Sequence, residues 1–377
     1  MAKNLVICCD GTNSSFQRDL TNVARISRIA ARIAGQQHVY YDVGVGAEAE
    51  PGFLTKLGAT LNRWAGLAFG VGLVRNVREA YSEIVDKYGH EDRLFLFGFS
   101  RGAYTVRVLA GLLQNYGLLK KEHRFMAGSL VKKFQTLFPK EGSAEAVDQA
   151  KYAAYCNKTF AEAREIRKSY CVECPVHFMG IWDTVSSLGW AYDPKTFANT
   201  AEMPHVRVIR HAIALDERRA KFRTNRVKLV LEAKQDIQEV WFAGVHADVG
   251  GGYPDEQSGL AKVCLKWMLR EASSQGLLID AKQEKLYLQG PRSQPDEMGP
   301  QHESLEKFWW ALEYIRLPHR RNVNGVWIDE MIRYGGEGWR TIRAGDLVHR
   351  CVQSRTEIHP VKNRNWLGAQ GKTIWTR

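Results

Sequence analysis

Gly98-Phe99-Ser100-Arg101-Gly102 constrains this chain more than any other stretch, because of what flanks it. The run before it, Arg93-Leu94-Phe95-Leu96-Phe97, is short, apolar and aromatic-rich, which suits a strand covered on both faces. After it, residues 103–113 space their apolar side chains at helical period. A strand that runs directly into a helix through such a turn brings the two elements very close. A side chain at Gly98 or Gly102 would collide there, and the turn lifts the Ser100 hydroxyl above the strand end. Ser100 is therefore the candidate nucleophile; the plainer alternative is a glycine-flanked helix cap.

The remaining elements fall into an alternating order. Leu5-Val6-Ile7-Cys8-Cys9 reads as a buried strand that ends in the turn-forming Asp10-Gly11-Thr12-Asn13-Ser14-Ser15. A helix is expected over residues 20–34, with Val23, Ile26, Ile29, Ala30 and Ile33 on one face. Val39-Tyr40-Tyr41-Asp42 is a second strand leading into Gly44-Val45-Gly46, and a helix follows over 74–88. Residues 117–170 are helical and charged, which suggests an inserted cap or lid. Val176-His177-Phe178-Met179-Gly180-Ile181 is a strand that leads into Asp183. Residues 209–215 look apolar and helix-like, whereas 227–231 and 239–245 read as the last strands. The latter runs into His246 and Gly250-Gly251-Gly252, before a helix over 259–274. Beyond residue 277 come Pro-Gly loops, a Trp309-Trp310 helix and a basic, Trp-bearing tail.

Strands alternating with helices predict an α/β fold, a mostly parallel sheet flanked by helices. The expected organisation is a core over 1–275 with a helical insertion at about 117–170, and an extension over 276–377 packed on it. Such sheets bind ligands outside the carboxyl ends of their strands. Asp10, Ser100, Asp183 and His246 each follow a predicted strand.

A serine hydroxyl needs an imidazole to take its proton, and the imidazole needs a carboxylate to hold its tautomer. Ser100, Asp183 and His246 keep the Ser, acid, His order of the α/β-hydrolase arrangement. His211 on its apolar stretch reads as a core residue, while His302 and His349 stay open as rival bases. Among rival acids, Asp216 sits beside Arg218 and Arg219, which suggests an ion pair. Asp248 suits a loop-orienting role, and Asp10 suits loop amides. A calcium or magnesium ion shared by Asp10 and Asp248 is the weaker alternative to ordinary hydrogen bonding, so no metal and no cofactor is expected. The developing oxyanion needs two donors: the backbone amide of Arg101, and one from the first-strand loop at Gly11 or Thr12.

The net charge of +12 invites a nucleic-acid reading, but the 53 basic residues are scattered and no nucleic-acid module is present. Attraction to anionic lipid headgroups is the alternative use of that charge. Seven cysteines, an odd number, argue for reduced thiols, and Cys171-x-x-Cys174 lacks the second pair of a zinc site. No basic, apolar, cleavable leader is visible and the longest apolar window, 65–74, is too short to span a bilayer. Cytoplasmic synthesis is expected, with export by a signal-less system as the further option.

Several blocks together resemble one family, the uncharacterised α/β-hydrolase domain of bacteria and fungi that includes the group-one phospholipase effectors of type VI secretion. They are Cys9-Asp10-Gly11-Thr12-Asn13, Tyr41-Asp42-Val43-Gly44-Val45-Gly46 and Gly98-Phe99-Ser100-Arg101-Gly102-Ala103-Tyr104. Gly180-Ile181-Trp182-Asp183-Thr184-Val185 and His211-Ala212-Ile213-Ala214-Leu215-Asp216-Glu217-Arg218 follow. The last is Val240-Trp241-Phe242-Ala243-Gly244-Val245-His246-Ala247-Asp248-Val249-Gly250-Gly251-Gly252-Tyr253. The resemblance implies a Ser-Asp-His esterase acting on acyl lipids, with phospholipase A activity and the triad on Ser100, Asp183 and His246. It implies an acyl-lipid or phospholipid substrate, peripheral membrane contact, and an immunity or secretion partner if the protein is an exported toxin. The competing readings are a soluble carboxylesterase or thioesterase, and a non-catalytic binding module on a hydrolase scaffold.

Overall fold

The apolar run before Ser100 lies inside an eight-stranded sheet. The computed structural model of the chain describes residues 2–11, 20–44, 67–139, 148–185, 197, 200–220, 222–290, 294–306, 308–314, 316–323, 326–356 and 374–376. The strands of the sheet are β1 (Asn4–Cys9), β2 (Gln37–Asp42), β3 (Arg93–Phe99), β4 (Val176–Trp182), β5 (Val206–Ala214), β6 (Asp236–Phe242), β7 (Leu347–His349) and β8 (Ile374–Thr376). Their spatial order is β8-β7-β6-β5-β4-β3-β1-β2, and every neighbouring pair is parallel. This is the α/β class the alternation predicts.

The order reverses once. From β1 the chain steps outward to β2, returns past β1 to β3, and then walks to the opposite edge. The reversal lies between β1 and β3, where parallel sheets open a crevice at their carboxyl ends. Register puts Cys9 opposite Gly98, Phe99 opposite Trp182 and Trp182 opposite Ala212. Ser100 and Asp183, one residue further along β3 and β4, therefore stand side by side, while Asp10, one residue past Cys9, lies level with Phe99 just before them.

Both faces of the sheet are buried, as parallel pairing requires. Leu5, Ile7, Leu94 and Leu96 pack with α2 (Leu67–Lys87), α3 (Arg101–Tyr116) and α4 (Ala127–Gln135). Val6, Cys8, Phe95 and Phe97 face α1 (Asn22–Ile29), α7 (Gly259–Ser274) and α8 (Ala281–Leu288). The short α6 (His246–Gly250) follows β6. Within 117–170, α4 and α5 (Gln149–Tyr170) are joined to the body by a two-residue antiparallel ladder, Leu118–Leu119 with Cys171–Val172. Leu130, Val131 and Phe134 bury this segment against the layer of α2 and α3. All seven cysteines are free thiols.

Three expectations are corrected. Residues 209–214 of this stretch belong to strand β5, not a helix: Val206, Val208, Ile209 and Ile213 are β-branched, and a strand covered on both faces shows no alternation. Residues 227–231 are not a strand. The amide of Val227 donates to the Glu239 side chain instead of a ladder, and Leu229 and Leu231 face solvent. The first helix stops at Ile29, five residues early, because Ala30 and Ile33 form isolated bridges with Ile279 and Gln37. Beyond residue 277, α9 (Phe308–Glu313), a hairpin of Leu317–Val323 with Val326–Ile332, and α10 (Arg350–Thr356) accompany β7 and β8.

The elbow glycines are required by crowding. A Cβ on Gly98 would sit 2.6 Å from Cα of Ala103, and one on Gly102 would overlap the carbonyl oxygen of Cys9. Gly102→Ala must push the end of β1 away from α3. We expect a loss of about 1–3 kcal/mol in chemical denaturation, the usual range for overpacking, with hydrolytic activity falling further than stability.

Candidate active site

Ser100 follows β3 directly and holds φ 57° and ψ −120°, a region that non-glycine residues rarely occupy. Its amide donates to the Trp182 carbonyl (3.0 Å) and its carbonyl accepts from Tyr104 (3.3 Å), so strand and helix both hold the strained residue. Asp183, immediately after β4, also has a positive φ of 40°. Its amide donates to the Ala212 carbonyl at 2.7 Å.

His246 opens α6 at the end of the β6 loop. Its Nε2 lies 2.8 Å from Ser100 Oγ, and its Nδ1 lies 2.5 Å from Asp183 Oδ2. With an ionised carboxylate on Nδ1, the proton sits there and Nε2 is left to accept from the hydroxyl. The ring is fixed by Phe99 (centroids 4.6 Å apart) and by the edge-on Phe222 (4.9 Å). Gly250 leaves room for the Phe99 ring, which a Cβ there would penetrate. Burial pushes the His246 imidazole below its ordinary value; Asp183 pulls the other way without cancelling it, and Arg219 adds to the lowering. A neutral imidazole results.

Asp183 is wholly buried, which by itself would raise its carboxyl. Arg340 and His246 more than offset that, so it stays ionised well below the usual carboxylate range. Oδ1 accepts from the Ala214 amide (2.9 Å) and from Arg340 Nη1; Oδ2 accepts from Arg340 Nη2 (2.9 Å) as well as His246. Sequence reasoning missed Arg340. It lies in the irregular C-terminal third, and its only signal is a basic residue within the Trp339-Arg340 pair.

The other predicted residues are placed as follows. Asp10 accepts from Thr21 Oγ1 (2.5 Å), Tyr41 Oη (2.6 Å) and the Gly11 amide (2.7 Å), which pins the end of β1 to α1 and β2. Gly11 is beside Ser100, 3.5 Å from its Cβ if it carried one itself, but its amide is already directed at Asp10. Thr12, Val45 and Gly46 lie outside the described residues. Arg101 is the first residue of α3, next to Ser100, and burial lowers its guanidinium to about 10. Asp216 accepts from the Gly244 amide (2.8 Å) and steadies the loop before His246. The paired acid is its neighbour Glu217, 2.8 Å from Arg219.

Asp248 accepts from the Val245 amide (3.1 Å) and contacts His302 Nδ1 (2.6 Å). His302, stacked on Tyr253, is thus committed to Asp248 rather than to Ser100. His349 stacks on Phe242 and its Nδ1 accepts from the Cys351 amide. Among the described residues, no cluster of three or more His, Cys, Asp or Glu side chains is arranged to hold a metal ion.

Residues 3–271 match the family model described as the catalytic domain of Tle1-like phospholipase effectors of the type VI secretion system. The chain belongs to this family. An uncharacterised protein of Saccharomyces cerevisiae, YEL023C, is 30% identical over 229 residues, 59% of this chain and 32% of that protein. The solved structure of an uncharacterised protein from Pseudomonas aeruginosa aligns with a TM-score of 0.42 and 18% identity, covering 76% of this chain and 48% of that one. The chain therefore spans about a third and about half of these two relatives. Within the Tle1-like domain lie Ser100, Asp183 and His246; Arg340 lies beyond its matched end.

A second buried network adjoins Asp183 in this candidate site of the Tle1-like domain. His211 Nε2 accepts from the Thr184 amide (3.2 Å), next to Asp183, while its Nδ1 contacts Glu239 (2.8 Å). Arg226 bridges Glu239 and Asp346, and Trp241 Nε1 donates to Asp346 (3.1 Å). Burial would raise Glu239, but His211 and Arg226 bring it down from 4.5 to about 2; Arg219 does the same for Glu217. Depressed carboxyls stabilise the fold fully above their unfolded value and lose that contribution as pH falls toward the folded one. Glu217 and Glu239 should therefore contribute fully to stability down to about pH 4.5 and lose that contribution from there toward 2. Glu239→Gln should start lower at neutral pH and decline less steeply below pH 4.5, measured by thermal denaturation across pH.

Proposed function

We propose that this protein is a serine esterase that cleaves acyl esters of phospholipids, with Ser100 as nucleophile, His246 as general base and acid, and Asp183 as its orienting carboxylate. One observation carries the reading: the unbroken path from Asp183 Oδ2 through His246 to Ser100 Oγ, at 2.5 and 2.8 Å. His246 Nε2 takes the hydroxyl proton as Oγ attacks the ester carbonyl. The tetrahedral oxyanion is held by the Arg101 amide and by a donor from the first-strand loop at Thr12, since the Gly11 amide is directed at Asp10. The imidazolium then protonates the leaving alcohol, and water hydrolyses the acyl-enzyme by the same relay.

Membership of the phospholipase effector family supports a lipid substrate. So does an exposed arginine–aromatic surface: Trp310 and Tyr314 face solvent, and the Arg218 guanidinium lies 5.6 Å from the Trp310 ring. Aromatic rings with one polar edge suit a water–lipid boundary, and guanidinium groups suit anionic headgroups. No helix among the described residues is long and apolar enough to cross a membrane. Export as an antibacterial effector, with an immunity protein in the producing cell, belongs to the same proposal.

Wild-type protein should release fatty acid from phospholipid vesicles, read by mass spectrometry. Ser100→Ala and His246→Ala should each lower kcat by at least about 10⁴-fold. Full turnover in Ser100→Ala would overturn the triad. Cleavage of short soluble esters with intact vesicles would instead favour a carboxylesterase. Hydrolysis must fall as pH drops through the His246 pKa, because only the neutral ring accepts a proton. Since burial sets that value below 6.5, the acid limb of kcat/KM should lie below 6.5 as well.

A further inference from the structure

We infer that Arg340, from beyond the matched catalytic domain, is a positioning residue for this hydrolysis. Its guanidinium fork fixes the Asp183 carboxylate so that Oδ2 faces His246, and it shares the carboxylate's charge so that His246 rests as a neutral base. The inference rests on the triad reading above.

The geometry is specific to arginine. Arg340 donates to both Asp183 oxygens and also to the carbonyls of Ala214 (2.8 Å) and Phe222 (2.7 Å). The first carbonyl belongs to the end of β5 and the second to the loop that carries the ring against His246. One buried side chain thus sets the carboxylate, the neighbouring strand end and the wall of the imidazole pocket together. A lysine ammonium, a point charge on a flexible stem, has no planar fork to hold two oxygens at once.

The electrostatic part follows from what faces the pair. Glu217 and Arg219 approach His246 from the loop after β5, and their charges oppose each other 2.8 Å apart. Asp248 on α6 is turned to His302. His211, buried on β5, is paired to Glu239. The Arg340 guanidinium and the His246 imidazole both contact the Asp183 carboxylate itself, and of the two the guanidinium carries the charge. A carboxylate facing an imidazole alone would stabilise the imidazolium strongly; one shared with a guanidinium does so less. Removing the guanidinium therefore raises the His246 pKa.

The test is the rate at which a fluorophosphonate labels Ser100, measured against pH. This probe needs the activated hydroxyl but no knowledge of the natural lipid. Arg340→Gln should label about ten- to a hundredfold more slowly. Its acid limb should move up by about one pH unit. Arg340→Lys keeps the charge and loses the fork, so its rate should fall while the limb stays near that of the wild type. An Arg340→Gln protein with wild-type rate and an unmoved limb would overturn the inference, even if its thermal stability had dropped. Should Arg340→Gln fail to fold, Arg340→Lys decides: an unchanged rate overturns the inference. Ser100→Ala separates the two claims, since labelling that survives it refutes the triad itself, whatever Arg340 does.

Discussion

The contact between Gly102 and the Cys9 carbonyl is the constraint on which the rest of the site depends. It lets the first turn of α3 lie against the end of β1, at the point where the strand order reverses. With that approach fixed, Ser100 can only leave the sheet through a positive-φ turn. Its side chain then stands level with Asp183, the residue that follows β4. Any side chain at the crossing would separate β1 from β3 and dissolve the alignment that the register creates.

Strain and buried charge gather where the alignment delivers them. Four described non-glycine residues have positive φ, and two of them, Ser100 and Asp183, touch His246. A wholly buried carboxylate would ordinarily take up a proton. Here Arg340, the Ala214 amide and His246 satisfy it, and the same contacts hold the Asp183 backbone in its unusual conformation. Asp10 plays the corresponding part at the end of β1, where Thr21, Tyr41 and Gly11 occupy its oxygens. Asp10, Ser100 and Asp183 thus each find partners on other segments of the chain.

The sequence shows most of this wherever a local rule acts. Glycines flanking Ser100 announce the tight turn, β-branched and aromatic runs announce β1, β3 and β4, and helical spacing locates α7 to the residue. Reading fails where the deciding partner is remote. The β5 run shows no period because both its faces are covered, so strand and helix look alike in the chain. The break of α1 at Ile29 is set by Leu278 and Ile279, some 250 residues away, which no local window contains. Arg340 is invisible for the same reason: its meaning lies in an acid 157 residues earlier.

That remoteness bears on where the working unit ends. The family match closes at residue 271, inside α7, yet the buried charges do not respect that border. Asp346 anchors Arg226 and the Trp241 indole, Ser304 donates to Glu217, Glu313 accepts from the Ala220 amide, and Arg340 closes on Asp183. Each of these contacts pairs a C-terminal polar group with a polar group of the core. An unpaired buried charge costs more than most whole side-chain contacts contribute. The segment beyond residue 271 is thus bound to the core by charge complementarity at the candidate site itself, and the geometry around Asp183 is a joint property of both parts.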